Sequence, residues 1–230
     1  MKSEGLAYQP KSFLFARRCY LRPFQMLAVW AVLLVIGSRS SPQTTQGANE
    51  PEPQPVAKQN LRQELLARME KDQSVRKKLM KRNKADAELK EMMKVDRDNI
   101  AWLEEVVDRH GWPGKALVGD DGAHAAWLLV QHADLEPAFQ KKCLGLLTTA
   151  VEKKDASAQD MAYLTDRVRV AEKKPQVYGT QFDESDGKLV LKPIEDEEHV
   201  DERRKEVGLS PLREYLKAAE AFYLQAKDEP

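Results

Sequence analysis

The sequence is poor in the residue that forms disulfides and reactive thiolates. Only two cysteines occur in 230 residues, Cys19 and Cys143. Cys19 precedes an apolar run near the N-terminus, so Cys143 stands alone in the body of the chain and no disulfide framework is expected. Because Cys143 occupies an apolar helical position without a recognisable cationic neighbour, we interpret it as a small buried hydrophobe rather than a nucleophile.

The chain also lacks an excess of charge of either sign. Its 37 Lys and Arg residues equal its 37 Asp and Glu residues, which gives a formal net charge of zero. Proteins that bind nucleic acid usually carry a basic excess or stripe that neutralises phosphates, so no nucleic-acid partner is expected. The apolar residues recur at helical spacing rather than alternating, which predicts a mainly helical body.

Several catalytic signatures are absent as well. The sequence contains no G-x-S-x-G motif, no phosphate-binding loop and no G-x-G-x-x-G fingerprint, so it predicts no cofactor. Zinc-binding helices place two histidines four residues apart, together with a third ligand. His124 and His132 are eight residues apart and Leu128 stands between them, so no metal site is predicted. His199 lies in an acidic run and is expected to be solvated.

The N-terminal residues 1–37 have the parts of an export segment. The arginines Arg17, Arg18 and Arg22 precede an apolar stretch from Phe24 to Gly37, and small residues follow. This stretch is shorter than the roughly 20 residues of a spanning helix, which favours a signal peptide. No clear cleavage site follows, so an uncleaved membrane anchor with its N-terminus inside stays an alternative.

The run "ARRCYLR" is similar to a twin-arginine export signal, although Ala16 stands where Ser or Thr is usual. Residues 38–56 are rich in Pro, Gln, Ser and Glu with almost nothing to bury, and this composition predicts an extended, mobile linker. We therefore expect an exported protein, either periplasmic or extracellular, or a membrane-anchored protein that faces outward.

Residues 57–95 are predicted to form charged amphipathic helices. Their first apolar stripe consists of Leu61, Leu65, Met69, Val75 and Leu79. Such a stripe indicates a helix that packs on the body of the protein, whereas a coiled-coil stalk would need more sustained heptads. A second charged helix is expected from about Ala85 to Val95, and a new helix is expected to start with Asp96 or Asp98 as its N-cap.

Residues 96–226 are predicted to form a helical domain with one small β-hairpin near 176–194. Gly111 and Pro113 should end the first helix. The expected N-caps of the later helices are Asp121, Asp134, Ser157 and Ser210. Pro175 ends the helical pattern, and the pair Asp186-Gly187 predicts the turn of the hairpin. The predicted fold class is thus mainly α, a compact helical bundle with one small hairpin.

Three long motifs resemble an uncharacterised bacterial family that is known only as a domain of unknown function. They read "HGWPGKALVGDDGAHAAWLLVQHAD", "MAYLTDRVRVAEKKPQVYGTQF" and "PIEDEEHVDERRKEVGLSPLREYL" and cover roughly residues 95–220. The resemblance implies a family pattern of polar residues but no activity, cofactor or partner. On this chain these positions are His124, Gln131, His132, Asp134, Asp166, Arg167, Gln176, Tyr178, Gln181, Arg203 and Arg204.

Two of these residues share one face of a short apolar helix, because His124 and Gln131 lie about 20° apart at 100° per residue. His124 lies in the first turn, where the helix dipole opposes a proton, so we expect a neutral base. His132 lies in the last turn, where the dipole favours the cation. A buried polar face needs hydrogen-bond partners, and we expect them in Asp166, Arg167 and Tyr178.

Two hypotheses for function follow from this pattern. In the first, His124 is a general base, Asp166 is its acid or orienting group, and a small molecule or peptide is bound nearby. The other expected ligand-binding residues are Gln131, His132, Arg167, Tyr178 and Gln181. In the second, the same side chains form a structural network in a noncatalytic interaction or scaffold module at the cell envelope. The reaction, the ligand and the oligomeric state stay open.

Overall fold

The computed structural model describes residues 56–80 and 86–228, so the predicted export segment and most of the predicted linker lie outside the described residues. Within this part the chain forms seven α-helices and a two-stranded hairpin. They are α1 (Val56–Met80), α2 (Asp86–His110), α3 (Lys115–Gln131), α4 (Pro137–Glu152), α5 (Ala158–Ala171), β1 (Phe182–Ser185), β2 (Lys188–Leu191), α6 (Val200–Glu206) and α7 (Leu212–Asp228). None of these helices combines the length and apolarity needed to cross a bilayer.

Helix α3 is the centre of the bundle and contacts α1, α2, α4 and α5. Its run from Ala125 to Gln131 is buried at every position, which is the pattern of a helix that is apolar on all sides. Gly119, at φ 76° and ψ 172°, interrupts α3 after its first turn. The predicted short apolar helix is therefore confirmed, with one short turn added before it. The predicted N-cap Asp121 was wrong, because Asp121 lies inside α3 and its carboxylate pairs with Arg62 of α1.

The predicted apolar stripe of helix α1 packs into the two hydrophobic cores of the protein. Leu65 belongs to the main core, while Val75 and Leu79 join a second core cluster with Met92 and Val95 of α2. The amphipathic helix that packs on the body is thus confirmed.

Helix α2 is longer than predicted, because it continues from Asp86 to His110 without a break and so crosses residue 95. The predicted helix start at Asp96 or Asp98 was wrong. Asp96 is buried inside α2, and its carboxylate pairs with Arg76 instead of capping a backbone N–H group.

The helix caps show how tertiary contacts compete with local ones. Ser157 is confirmed as an N-cap, since its hydroxyl accepts a hydrogen bond from the N–H of Asp160 at 3.2 Å. Asp134 is not a cap: its carboxylate accepts hydrogen bonds from Arg167 and Gln140. The helix after it, α4, instead begins at Pro137 with no side-chain cap.

The predicted hairpin is confirmed, with shorter strands than expected. Strand β1 pairs antiparallel with β2, in a register that opposes Phe182 to Leu191 and Ser185 to Lys188. Asp186 and Gly187 form the two-residue turn, and both have positive φ, as the twist of a tight hairpin requires. Before the hairpin, residue 176 joins residue 194 through an isolated parallel bridge.

The C-terminal part contains one short helix and one long helix. Only Val200–Glu206 and a preceding 3-10 turn form in the acidic run, and Gly208, at φ 77°, follows them. The predicted cap Ser210 was wrong: helix α7 begins at Leu212, whose N–H donates to the carboxylate of Asp201 at 2.6 Å. Asp201 comes from α6, so this contact joins the two helices.

Candidate functional site

His124 lies where α3 meets the start of α5. Its Nδ1 atom is 3.4 Å from Oδ2 of Asp160, and its ring centroid is 5.0 Å from that of Trp127. Trp127 is fully buried and makes an edge contact with Tyr163 of α5. The side chain of His124 is 46% exposed, whereas that of Asp160 is 10% exposed. The imidazole therefore bridges solvent and an aromatic core.

The pKa values of His124 and Asp160 are coupled through this contact. Burial opposes the charge on His124, but the hydrogen bond and charge of Asp160 outweigh it and raise the pKa of the imidazole. Burial also raises the pKa of the Asp160 carboxyl, against the lowering effect of His124. The expectation of a neutral His124 with a suppressed pKa was wrong in direction, because a carboxylate from another helix acts more strongly than the helix dipole.

Asp166 has a different set of partners from the one predicted. Its carboxylate accepts hydrogen bonds from the backbone N–H groups of Val177, Tyr178 and Thr180 at 2.7, 3.0 and 2.9 Å. It also accepts one from the hydroxyl of Thr180 at 2.9 Å. The structure thus brings Asp166 to the segment that contains Tyr178, as predicted, but no hydrogen bond joins it to His124 within the described residues.

Arg167 joins α5 to two other segments. Its Nε and Nη2 atoms donate to the two carboxylate oxygens of Asp134 at 2.8 and 2.6 Å, and its Nη1 atom donates to Oε1 of Gln181 at 3.3 Å. Gln140 adds a hydrogen bond to the same carboxylate. This bidentate geometry fixes Arg167 in place, and it brings Arg167 and Gln181 together as the sequence analysis expected.

Gln176 holds both ends of the same segment. Its side-chain N–H groups donate to the carbonyl oxygens of Gln181 and Lys192, and its Oε1 atom accepts from the N–H of Gln181. Gly179 has φ 70°, and a Cβ atom there would lie 2.7 Å from Cδ1 of Ile194. The absence of a side chain at Gly179 therefore lets Ile194 pack directly against the backbone.

His132 lies in a second buried network, which joins it to α1 and α2. Its Nδ1 atom is 2.8 Å from Oδ2 of Asp72 and 3.0 Å from Nε of Arg76. Arg76 in turn donates to Oδ1 of Asp96 at 2.5 Å. All four side chains are at most 3% exposed. The network therefore ties the first two helices to the end of α3.

Burial and the charge of Arg76 lower the pKa of His132 to about 4, although Asp72 acts in the opposite direction. The imidazole is neutral at neutral pH. The expected preference for the cation at the end of α3 was therefore wrong, because complete burial outweighs the field of the helix terminus.

The two remaining candidates, Gln131 and Tyr178, differ in their hydrogen-bond partners. Gln131 is buried, and neither its Oε1 nor its Nε2 atom has a hydrogen-bond partner within the described residues. Tyr178 is held through its backbone, since its N–H donates to Asp166 and its carbonyl oxygen accepts from Arg204 at 2.6 Å. Its phenol is partly exposed, and burial together with the charge of Asp166 raises its pKa.

Sequence reasoning missed Asp160 and the pair Asp72–Arg76. Asp160 follows Ser157 at the spacing of a capping box, so the local pattern indicates a role for its carboxylate at the helix start. Asp72 and Arg76 have the i, i+4 spacing of an ion pair, a signal visible in the sequence. That spacing on a charged helix usually indicates a solvated pair, and nothing local shows that this one is buried.

The described residues give less support to a metal site or to a cysteine nucleophile. No group of three or more His, Cys, Asp or Glu side chains there is arranged to hold a metal ion. The interpretation of Cys143 as a buried hydrophobe is confirmed, since it is fully buried in the main core. Burial raises the pKa of its thiol to about 12, so the nucleophilic thiolate is not populated at neutral pH.

Comparison with known proteins identifies a family without identifying an activity. The profile of a family of unknown function, DUF6624, matches residues 59–227. The match includes α1 and α2, which lie mostly outside the motifs recognised in the sequence. No curated protein and no solved structure matches significantly. Because the match covers well over half of its length, the chain belongs to this family of unknown function.

Proposed function

We propose that this domain binds a small polar molecule or a peptide at the surface around His124, and that His124 and Asp160 exchange a proton with the bound group. The observation that carries the proposal is the contact between a half-exposed imidazole and an almost buried carboxylate. A carboxylate on Nδ1 orients the ring and leaves its Nε2 edge for a ligand. Asp160 therefore takes the orienting role that the sequence analysis gave to Asp166.

The other histidines fit this role less well. His199 also contacts a carboxylate, that of Asp196, but both side chains are more than half exposed and lie on one short turn. Such a pair is free to move, and solvent screens it. His132 is fully buried in its ion network. His124 alone combines access to solvent with packing on Trp127, which limits its motion.

Ligand-induced thermal shifts of the purified protein across a metabolite and peptide panel test the proposal. We expect at least one ligand to raise the Tm of the wild type, and this shift to be lost in His124→Gln and reduced in Asp160→Asn. The control is His110→Gln, which changes an exposed histidine on α2. A shift that survives in both His124→Gln and Asp160→Asn would place the ligand elsewhere and contradict the proposal.

A second candidate function is a noncatalytic interaction or scaffold module. The observation that favours it is that Asp166, Arg167 and Gln181 all hold the segment before the hairpin against the bundle. Under this hypothesis, no ligand requires His124 for binding. Asp166→Ala should instead alter the binding of a protein partner, because it loosens residues 176–181. The same panel separates the two hypotheses, because only the first requires a ligand shift that His124→Gln removes.

We also propose that residues 1–37 export the domain or anchor it to the membrane, facing outward. The basis is the basic residues before the apolar stretch from Phe24 to Gly37. A fusion of residues 1–56 to alkaline phosphatase, which is active only outside the cytoplasm, should give active reporter. A fusion that lacks residues 24–37 should be inactive. Equal activity of the two fusions would contradict export, and the mass of the mature chain distinguishes cleavage from anchoring.

A further inference from the structure

Arg204 is a cation in an unusual position, because its side chain is completely buried on the short helix α6. Its Nε atom donates to the carbonyl oxygen of Ser210 at 2.6 Å, and its Nη1 atom donates to that of Tyr178 at 2.6 Å. The guanidinium carbon lies 4.8 Å from the ring centroid of Tyr215. These contacts fix the side chain, but each of them is with a neutral group.

The positive charge of Arg204 has no carboxylate within ion-pair distance in the part of the chain that the structure describes. The carboxylates of Asp201 and Asp166 raise its pKa only through space. Both carboxylates already accept other hydrogen bonds. Asp166 accepts them from backbone N–H groups of the 177–180 segment, and Asp201 accepts one from the N–H of Leu212. Burial outweighs these effects and lowers the pKa of Arg204. A buried cation without a counter-charge is costly.

Two polar atoms at this place have no hydrogen-bond partner within residues 56–80 and 86–228. They are Nη2 of Arg204 and the hydroxyl oxygen of Ser210, and both are buried. Nη2 lies on the same edge of the planar guanidinium as Nε, which contacts the carbonyl of Ser210. The unpartnered N–H group of one residue and the unpartnered hydroxyl of the other therefore belong to directly contacting residues.

The surroundings favour a negative charge at this edge. Ser210 lies two positions before Leu212, the first residue of the 17-residue helix α7, and the amino end of a helix carries a partial positive charge. Arginine Nε and Nη2 atoms together form the fork that matches two oxygens of a carboxylate or phosphate. In Arg204, Nε already donates to the carbonyl oxygen of Ser210, whereas Nη2 has no partner within the described residues.

We propose that Nη2 of Arg204 and the hydroxyl of Ser210 form a binding site for one small oxyanion, either the carboxylate of an organic acid or inorganic phosphate. The bound oxygen accepts one hydrogen bond from each atom and supplies the counter-charge that the described residues lack. This site uses none of the residues assigned to ligand binding at His124, so either proposal can fail without the other.

Thermal unfolding of the full chain in sodium acetate, sodium phosphate or sodium chloride, at equal ionic strength and pH, tests the site. We expect a saturable rise in Tm with acetate or phosphate that chloride does not give. Acetate alone indicates a carboxylate ligand and phosphate alone indicates phosphate, and either result supports the site. Ser210→Ala should weaken the apparent Kd about tenfold, as expected for one hydrogen bond between an anion and the protein.

Controls separate this site from general effects of anions. Ser74→Ala removes a hydroxyl from the exposed face of α1, and Arg97→Gln removes a positive charge from the exposed face of α2. Both should keep the wild-type response, whereas Arg204→Gln should lose it. If Arg204→Gln does not fold, Ser210→Ala decides. A wild-type response no larger than that to chloride, or an equal response in Ser210→Ala, would overturn the proposal.

Discussion

His132 and Asp72 are in direct contact, with Nδ1 of the imidazole 2.8 Å from the carboxylate, although 60 positions separate them in the sequence. Asp72 belongs to α1, and His132 immediately follows α3. The charges of His132 and Arg76 outweigh burial and lower the pKa of Asp72 to about 2. This contact makes the attachment of the first helix to the body sensitive to protonation.

The first prediction concerns acid stability. Because the pKa of His132 is about 4 in the folded protein and about 6.5 in the unfolded chain, the unfolded state binds more protons between these values. Stability contributed by the neutral imidazole is therefore present above pH 6.5 and is lost as the pH falls toward 4. At pH 5 the loss should be roughly 2 kcal/mol. Urea unfolding at pH 7.5 and pH 5 measures it.

His132→Asn should reduce this loss by about the same amount, although the variant is less stable than the wild type at pH 7.5. The matched control is His110→Asn, in which an exposed histidine of α2 is changed and the loss should persist. An unchanged pH dependence in His132→Asn would show that His132 is not the group responsible.

The second prediction concerns the pKa of His124. Since Asp160 raises this pKa against the effect of burial, Asp160→Asn should lower it, and the burial effect should then dominate. The stability contributed by the pair is present below pH 6.5 and is lost as the pH rises through the raised pKa, which is the opposite sign to His132. NMR titration of the imidazole measures the shift, and an unchanged pKa would contradict the contact.

The third prediction concerns Asp166. Its removal in Asp166→Ala leaves the buried N–H group of Thr180 and its neighbours without their acceptor, which should cost about 3 to 5 kcal/mol. Hydrogen exchange should accelerate at Val177, Tyr178 and Thr180 relative to the amides of α3. Glu214→Gln, which removes a carboxylate from the surface of α7, serves as control. Exchange that stays slow at these three amides would show another acceptor.

The fourth prediction compares two glycines. Gly179→Ala should destabilise the protein by about 2 kcal/mol or more, because φ is 70° and the new Cβ atom would contact Ile194. Gly145→Ala in α4 should instead stabilise it by roughly 0.5 to 1 kcal/mol, since nothing lies within 4 Å of the added Cβ atom. Thermal unfolding measures both, and equal effects would contradict the strained backbone at Gly179.

Local patterns in the sequence predicted most of the fold correctly. The spacing of Leu65, Val75 and Leu79 predicted a packed helix, and the pair Asp186-Gly187 predicted the hairpin turn. Both succeed because helical periodicity and positive φ act over a few residues. The N-cap Ser157 succeeded for the same reason, while Ser210 failed because Asp201, from another helix, accepts the first N–H of α7.

The candidate site was only partly predictable. The expectation that Asp166 and Tyr178 lie in one polar cluster was correct, since Asp166 is buried and accepts a hydrogen bond from the N–H of Tyr178. The sequence did not indicate that Asp160, rather than Asp166, contacts His124. Asp160 and Asp166 are six positions apart and so lie about 120° apart around α5, and which of them meets His124 depends on how α5 packs against α3.

The sequence by itself determined the class of the fold, the helical packing faces and the hairpin turn, because these depend on interactions between neighbours along the chain. Only the tertiary structure decided the pKa values of His124, which lies on α3, and of His132, which follows α3. The helix dipole predicted a lowered pKa at His124 and a raised one at His132, and the folded protein reverses both. Burial and carboxylates from other helices act on an imidazole more strongly than its position along its own helix.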